Sequence, residues 1–191
     1  DGITEIGGNS FRNCTSLTKI YVPLNITKID SGAFYGCKNL TIYCEADSKP
    51  SMWSTSWNKY AYSSYCPVIW YYGGKQGITT DGIQWYSLKD GTAKVIGCTK
   101  TTATQTTIPS KIEGFLVTEI AEGVLEDCNS LEKLTIPFVG ERLDGLGEDN
   151  FGFIFGESSY YSQSSYIPSS LTTVVITGGS KIAGYAFYKC S

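Results

Sequence analysis

Histidine is absent from the 191 residues, methionine occurs once, and only 17% of positions carry charge. Without histidine the chain lacks the commonest general base and the commonest metal ligand, which lowers the expectation of catalysis. No C-x-x-C pair exists among the seven cysteines, so zinc-ligand spacing is missing too. The longest apolar run, Val68 to Tyr72, is far too short to span a bilayer, and no membrane insertion is expected. A net charge of −3 offers no basic footprint for nucleic acid. No segment reads as a signal peptide, because Asp1-Gly2-Ile3-Thr4-Glu5-Ile6 already has the pattern of folded sequence.

What the chain does have is an internal repeat. Ile3, Ile6, Phe11, Cys14 and Leu17 recur as Ile26, Ile29, Phe34, Cys37 and Leu40, each pair 23 residues apart. The same spacing returns at Val117, Ile120, Leu125, Cys128 and Leu131, and a shortened copy at Ile182, Phe187 and Cys190. The unit runs on into Ile20-Tyr21-Val22-Pro23 or Leu134-Thr135-Ile136-Pro137. That tail predicts a short strand with alternate residues pointing inward, ended by a proline that cannot donate to a ladder. The stretch Ser31 to Cys37 predicts one helical or 3-10 turn that puts Phe34 and Cys37 on one face. A unit this short cannot bury its apolar side alone, so units must stack.

The I-x-x-x-A-F-x-x-C-x-x-L-x-x-I-x-I-P pattern resembles the BspA-like leucine-rich repeats of bacterial cell-surface proteins, common in gut and oral anaerobes. Leu40 to Ala46, continuing to Cys66-Pro67-Val68-Ile69-Trp70, is similar to the segment that closes an array in that family. Ile83 to Cys98, followed by Ile108 to Gly114, is similar to one that opens an array. The resemblance implies a leucine-rich-repeat solenoid, α+β with mostly short strands and helical or 3-10 turns. It holds two partial arrays joined by a linker and a β-hairpin cap. Residues 1–72 are expected to end a first array, with Trp53, Trp57, Tyr60 and Trp70 as an aromatic closing cap. Residues 73–82 have linker composition, and 83–107 read as a hairpin cap around the turn Lys89-Asp90-Gly91. Residues 108–191 read as a second array, interrupted at about 140–170 by a glycine-rich, then serine- and tyrosine-rich insertion expected to protrude as a loop. The chain stops directly after a cysteine slot, as a piece of a longer protein would.

Four cysteines, Cys14, Cys37, Cys128 and Cys190, share one repeat slot, which suits core packing by reduced thiols. Cys44 and Cys66 fall outside that slot in the closing segment. They either form a disulfide, suited to an exported protein, or stand as two separate thiols. Asp144, Glu148 and Asp149 gather carboxylates in a glycine-rich loop, but the D-x-D-x-D-G calcium register fails. Asn13-Cys14-Thr15, Asn25-Ile26-Thr27 and Asn39-Leu40-Thr41 match the glycosylation sequon and are read as turn residues.

No catalytic residue, metal site or cofactor is therefore expected. The leading expectation is a non-enzymatic recognition or adhesion module, extracellular or on the cell surface, with its export signal outside these residues. Its partner would be a protein or glycan on a host or neighbouring cell. Structural spacer repeats, or an appendage of an enzyme encoded beyond either end, are the competing readings. Tyr160, Tyr161 and Tyr166 of the Ser158–Tyr166 tract have the composition of antibody paratopes. With the outward strand positions Lys19, Tyr21, Lys133 and Thr135 they make up the candidate contact residues. Removing residues 157–166 is expected to leave folding nearly intact.

Overall fold

A computed structural model describes residues 2–190, which divide into two compact units, Asp1–Gly73 and Gly74–Ser191. Within the first unit the strands are β1 (Glu5–Ile6), β2 (Lys19–Val22), β3 (Lys28–Ile29), β4 (Thr41–Cys44) and β5 (Val68–Ile69). They pair in parallel between successive repeats: Ile6 opposite Ile29 in one ladder, and Ile20 opposite Ile42 in the other. β4 then pairs with β5, again in parallel. Pro23 follows β2 directly and ends it, as its missing N–H requires.

The core of this unit is the repeat slots themselves. Ile29, Phe34, Cys37 and Leu40 are fully buried, while Ile6, Phe11, Cys14 and Leu17 of the first copy are half-buried against them. Phe11 stacks on Phe34 with centroids 5.5 Å apart. On its other side Phe34 meets the edge of Trp57, which packs with Trp53 and Trp70. Trp53 also donates its indole N–H to the Ile26 carbonyl, leaving no polar atom stranded where the rings cover the last copy.

After β6 (Tyr72–Ile78), the second unit holds β7 (Ile83–Leu88), β8 (Thr92–Cys98), β9 (Gln105–Thr107), β10 (Lys111–Ile112), β11 (Phe115–Ile120), β12 (Lys133–Ile136) and β13 (Thr173–Ile176). β7 and β8 form an antiparallel hairpin, and β8 pairs in parallel with β11. The order β10-β11-β8-β7-β6 completes one sheet, and β13-β12-β9 forms a second, wholly parallel ladder. Thr106, Leu134 and Ile136 point inward from that ladder.

Three expectations are narrowed or corrected. First, of the helical and 3-10 alternatives for the repeat turn only single i→i+3 turns are present, and the described residues contain no α-helix. Single i→i+3 bonds such as Tyr35 to Gly32, Cys37 to Phe34 and Leu40 to Cys37 follow one another, broken by left-handed residues. The slot two before the Phe/Leu position holds Asn9, Gly32, Gly123 and Tyr185, all with φ between 63° and 72°. A left-handed residue in every copy prevents the i→i+4 ladder from propagating. Second, most of the 73–82 segment is strand rather than linker. Ser87 anchors β6 by accepting from the Lys75 N–H and donating to the Lys75 carbonyl, and Gly77 leaves room for the Trp85 indole. Third, residues 140–170 do not simply protrude. Phe151–Phe155 is a buried 3-10 helix, capped by the Asn150 side chain and ended by left-handed Gly156.

Candidate functional site

The insertion is folded onto the last repeat by one side chain. Gln163, in the second 3-10 helix (Gln163–Ser165), is fully buried. Its Oε1 accepts from the Gly152 N–H at 2.8 Å, and its Nε2 donates to the carbonyls of Tyr188 at 3.1 Å and Tyr185 at 3.4 Å. Phe151 lies against Phe187 with centroids 4.7 Å apart, and its N–H donates to the Ala186 carbonyl. The expectation of a dispensable 157–166 loop fails for this reason: deleting it removes Gln163 from the core.

That docking assembles a cluster of four tyrosines from two distant segments. Tyr160 lies between Tyr161 (4.1 Å between centroids) and Tyr185 (5.2 Å, interplanar 18°). Tyr188 meets all three edge-on, at interplanar angles of 78° to 84°. Tyr161 and Tyr185 are 67% and 65% exposed, whereas Tyr160 and Tyr188 are half-buried beneath them. Lys189 places its ammonium over the Tyr188 ring at 5.2 Å. The hydrogen bond with Tyr161 and the crowding of hydroxyls push the Tyr160 phenol up to about 12, so it stays neutral at physiological pH. Tyr185 and Lys189 both hold left-handed backbone, at φ 64° and 56°. Such a residue costs roughly 1–2 kcal/mol relative to the right-handed well, a cost that Tyr71 and Glu113 also carry elsewhere in the chain.

Of the expected contact residues, Tyr160 and Tyr161 thus meet Tyr185 and Tyr188, which the tract's composition did not single out. Their signal was the repeat frame: Tyr185 occupies the slot that holds Asn9, Gly32 and Gly123 in other copies. Tyr166 is exposed at the end of the second 3-10 helix, outside this ring cluster. Lys19 and Tyr21 face outward from β2 of the first unit, where Tyr21 packs on Tyr43 and Tyr72 and Lys19 lies over the Tyr43 ring. In the second unit Lys133 is exposed and Thr135 half-buried on β12.

The expected carboxylate and cysteine chemistry takes a structural form. Asp144 forms an ion pair with Arg142 at 2.9 Å and accepts the Leu146 N–H, which together hold its pKa down to about 2. Arg142 reaches on to Glu119, which also receives Lys94 at 3.0 Å, so the start of the insertion is tied to β11 and β8. No group of three potential metal ligands gathers among the described residues. All seven cysteines are free thiols, and the Cys44–Cys66 pairing is not formed. Cys66 instead directs its Sγ at the Cys37 carbonyl, 3.6 Å away, as Cys37 does at the Phe11 carbonyl, 3.0 Å away. Burial pushes the Cys44 thiol up to about 12 and Cys66 to about 11. The sequon asparagines serve the ladder: Asn25 donates to the Ile3 carbonyl and Asn39 to the Thr15 carbonyl, while Asn13 takes a left-handed turn.

Two grooves, of about 270 and 370 Å³, lie at the flanks of the ladders. Their linings, Phe151, Ile167 and Phe187 in one and Ile3, Phe11 and Ile20 in the other, include no carboxylate, lysine or arginine. No helix among the described residues is long and apolar enough to cross a membrane. No curated protein and no solved structure matches the chain. A family description does match: BspA type leucine rich repeat region (6 copies), over residues 1–65. The repeat slots, the parallel ladders between copies and that match agree that residues 1–65 have the pattern of a BspA-type leucine-rich repeat region.

Proposed function

We propose that this chain is a non-enzymatic recognition module that holds a protein or glycan partner at a cell surface. The observation that carries the reading is the tyrosine cluster, where Tyr160 and Tyr161 meet Tyr185 and Tyr188 in one solvent-facing patch. Tyrosine offers rigid contact area with a polar tip at low entropic cost, and Tyr161 and Tyr185 each turn about two-thirds of that area to solvent. Strain supports the same reading: backbone cost kept at an exposed residue points to a role outside stability. The repeats act as the scaffold. Two arrays are proposed, the hairpin β7–β8 opening the second by extending its ladder through β8 and β11.

The test is attachment. Beads coated with the 191-residue chain should adhere to cultured epithelial cells or to neighbouring bacterial cells, and a Tyr161→Ala, Tyr185→Gly double variant of unchanged melting behaviour should not. Equal adhesion by both proteins would remove the patch from the function. No adhesion by the parent would favour a spacer whose repeats bind nothing.

A further inference from the structure

We infer that the tyrosine patch recognises an uncharged glycan chain, whose sugar rings stack on the outer faces of Tyr161 and Tyr185. This deepens the recognition reading above and rests on it. Three rings run in series, Tyr161, Tyr160 and Tyr185, with Tyr188 closing their edges. The middle ring is covered on both sides, so the ring faces left to solvent are those of the two end residues, which accounts for their two-thirds exposure. A solvent-facing aromatic face is apolar and electron-rich, and it matches the C–H face of a pyranose ring. The tract that holds Tyr160 and Tyr161 also carries exposed hydroxyls at Ser158, Ser164 and Ser165, and serine can donate to and accept from sugar hydroxyls.

Charge decides between glycan classes. The Lys189 ammonium lies over the Tyr188 ring. Glu157 turns its carboxylate onto the Ser159 N–H. Against a net charge of −3 overall, that one ammonium is a weak attractor for a sulfated or uronic chain. Shape separates a glycan from a protein partner. Protein hot spots centre on well-packed, desolvated pockets. Neither groove described above is lined by any of the four tyrosines, so the patch offers ring faces rather than a pocket.

The left-handed backbone gives the proposal a clean test. In Tyr185→Gly the ring is lost but the φ of 64° becomes permissible, so binding and stability should separate. Affinity electrophoresis of the full chain through gels containing soluble starch, mixed-linkage β-glucan, galactomannan or heparin provides the readout. The parent should be retarded by at least one of the neutral polysaccharides and not by heparin. Tyr161→Ala and Tyr185→Gly should each weaken that retardation about tenfold without lowering the melting temperature, as expected for loss of one stacking face. Tyr62→Ala, which removes a 90% exposed ring of the first unit, should leave it unchanged. Retardation by heparin alone, or equal retardation of the tyrosine variants, overturns the proposal. If no polysaccharide retards the parent but immobilised collagen or laminin captures it through the same tyrosines, the glycan class falls and recognition stands. Failure of both sets of probes removes both.

Discussion

Replacing Gln163 with leucine keeps the side chain's volume and removes all three of its hydrogen bonds. The Gly152 N–H then loses its partner inside a fully buried 3-10 helix, and the carbonyls of Tyr185 and Tyr188 lose the amide that bridges them. A buried donor left unpaired costs about 1–3 kcal/mol, whereas the two carbonyls lie beside exposed residues and can turn to water. Gln163→Leu should therefore destabilise the second unit by roughly 1–3 kcal/mol. At about 3–5 °C per kcal/mol for a domain of this size, that is a fall in melting temperature on the order of 10 °C. The fluorescence of Trp85, in the core of that unit, follows its unfolding in a chain where Trp53, Trp57 and Trp70 belong to the other. Substituting those three with phenylalanine isolates the signal. Amide exchange sharpens the test, since the Gly152 N–H should lose its protection in the variant. A melting temperature within about 2 °C of the parent, with Gly152 still protected, would show that the insertion does not depend on this residue and that 157–166 is a dispensable loop after all.

Phe34→Ala should cost about 3–5 kcal/mol, because the ring is fully buried between Phe11 and Trp57 and neither neighbour can collapse far; urea unfolding of the first unit measures it, and a loss under about 1 kcal/mol would refute the ladder packing. Gly32→Ala meets only the Asn9 Oδ1 at 3.4 Å, so its expected loss of roughly 1–2 kcal/mol comes from the backbone at φ 72°. An unchanged midpoint in urea would refute the claim that the slot must be left-handed. Stability should also fall as pH rises above 9. The thiols of Cys44 and Cys128 are pushed up to about 12 and that of Cys66 to about 11, chiefly by burial, with Cys98 beside Cys128 adding to its shift. The unfolded thiols release their protons near pH 9 while the folded ones keep theirs, so each contributes a loss of up to about 1.4 kcal/mol per pH unit from there to its folded value. Urea midpoints at pH 8 and pH 10.5 check this against a Cys44→Ala variant, which should show a shallower slope.

The repeat was legible because its slots are chemically distinct: Phe34, Cys37 and Leu40 fill fixed volumes, and Pro23 and Pro137 stop strands that Ile20 and Leu134 point inward. The conformation of the turn was not, since apolar residues at i and i+3 fit a helix and a succession of separate turns equally well. Only the left-handed slot distinguishes them, and its residues, Asn9, Gly32, Gly123 and Tyr185, share no side-chain chemistry that a pattern search would group. The glycine-rich start of β6 read as a linker for a related reason. Gly77 is there to admit the Trp85 indole, and an absent side chain looks the same whether it frees the backbone or makes room for a neighbour. The insertion concealed the opposite case. Gln163 sits in a run of serines and tyrosines whose composition signals solvent, yet it is the buried residue of the run, and no local pattern announces a partner at Gly152, Tyr185 and Tyr188.

The left-handed slot also bears on why the proposed patch sits at one repeat and not at its neighbours. Asn9 and Tyr185 are exposed and Gly32 and Gly123 half-buried, and none of the four takes part in the apolar ladder. The repeat thus constrains the backbone there without using a side chain in its core. A glycine or asparagine satisfies the backbone at least cost, and any larger residue adds strain that packing does not return. In the copy at Tyr185 the chain carries that strain, and the insertion brings Tyr160 to stack against the same ring. Either feature alone has a bland explanation: an isolated strained tyrosine could be tolerated, and a tyrosine-rich loop could be idle. Their meeting at 5.2 Å, secured by Gln163 bonding to the two carbonyls that flank Ala186 and Phe187, is harder to assign to the fold, because the core would be as well filled with glycine at position 185. The residue that costs stability and the segment that interrupts the repeat serve the same patch, and the patch faces solvent.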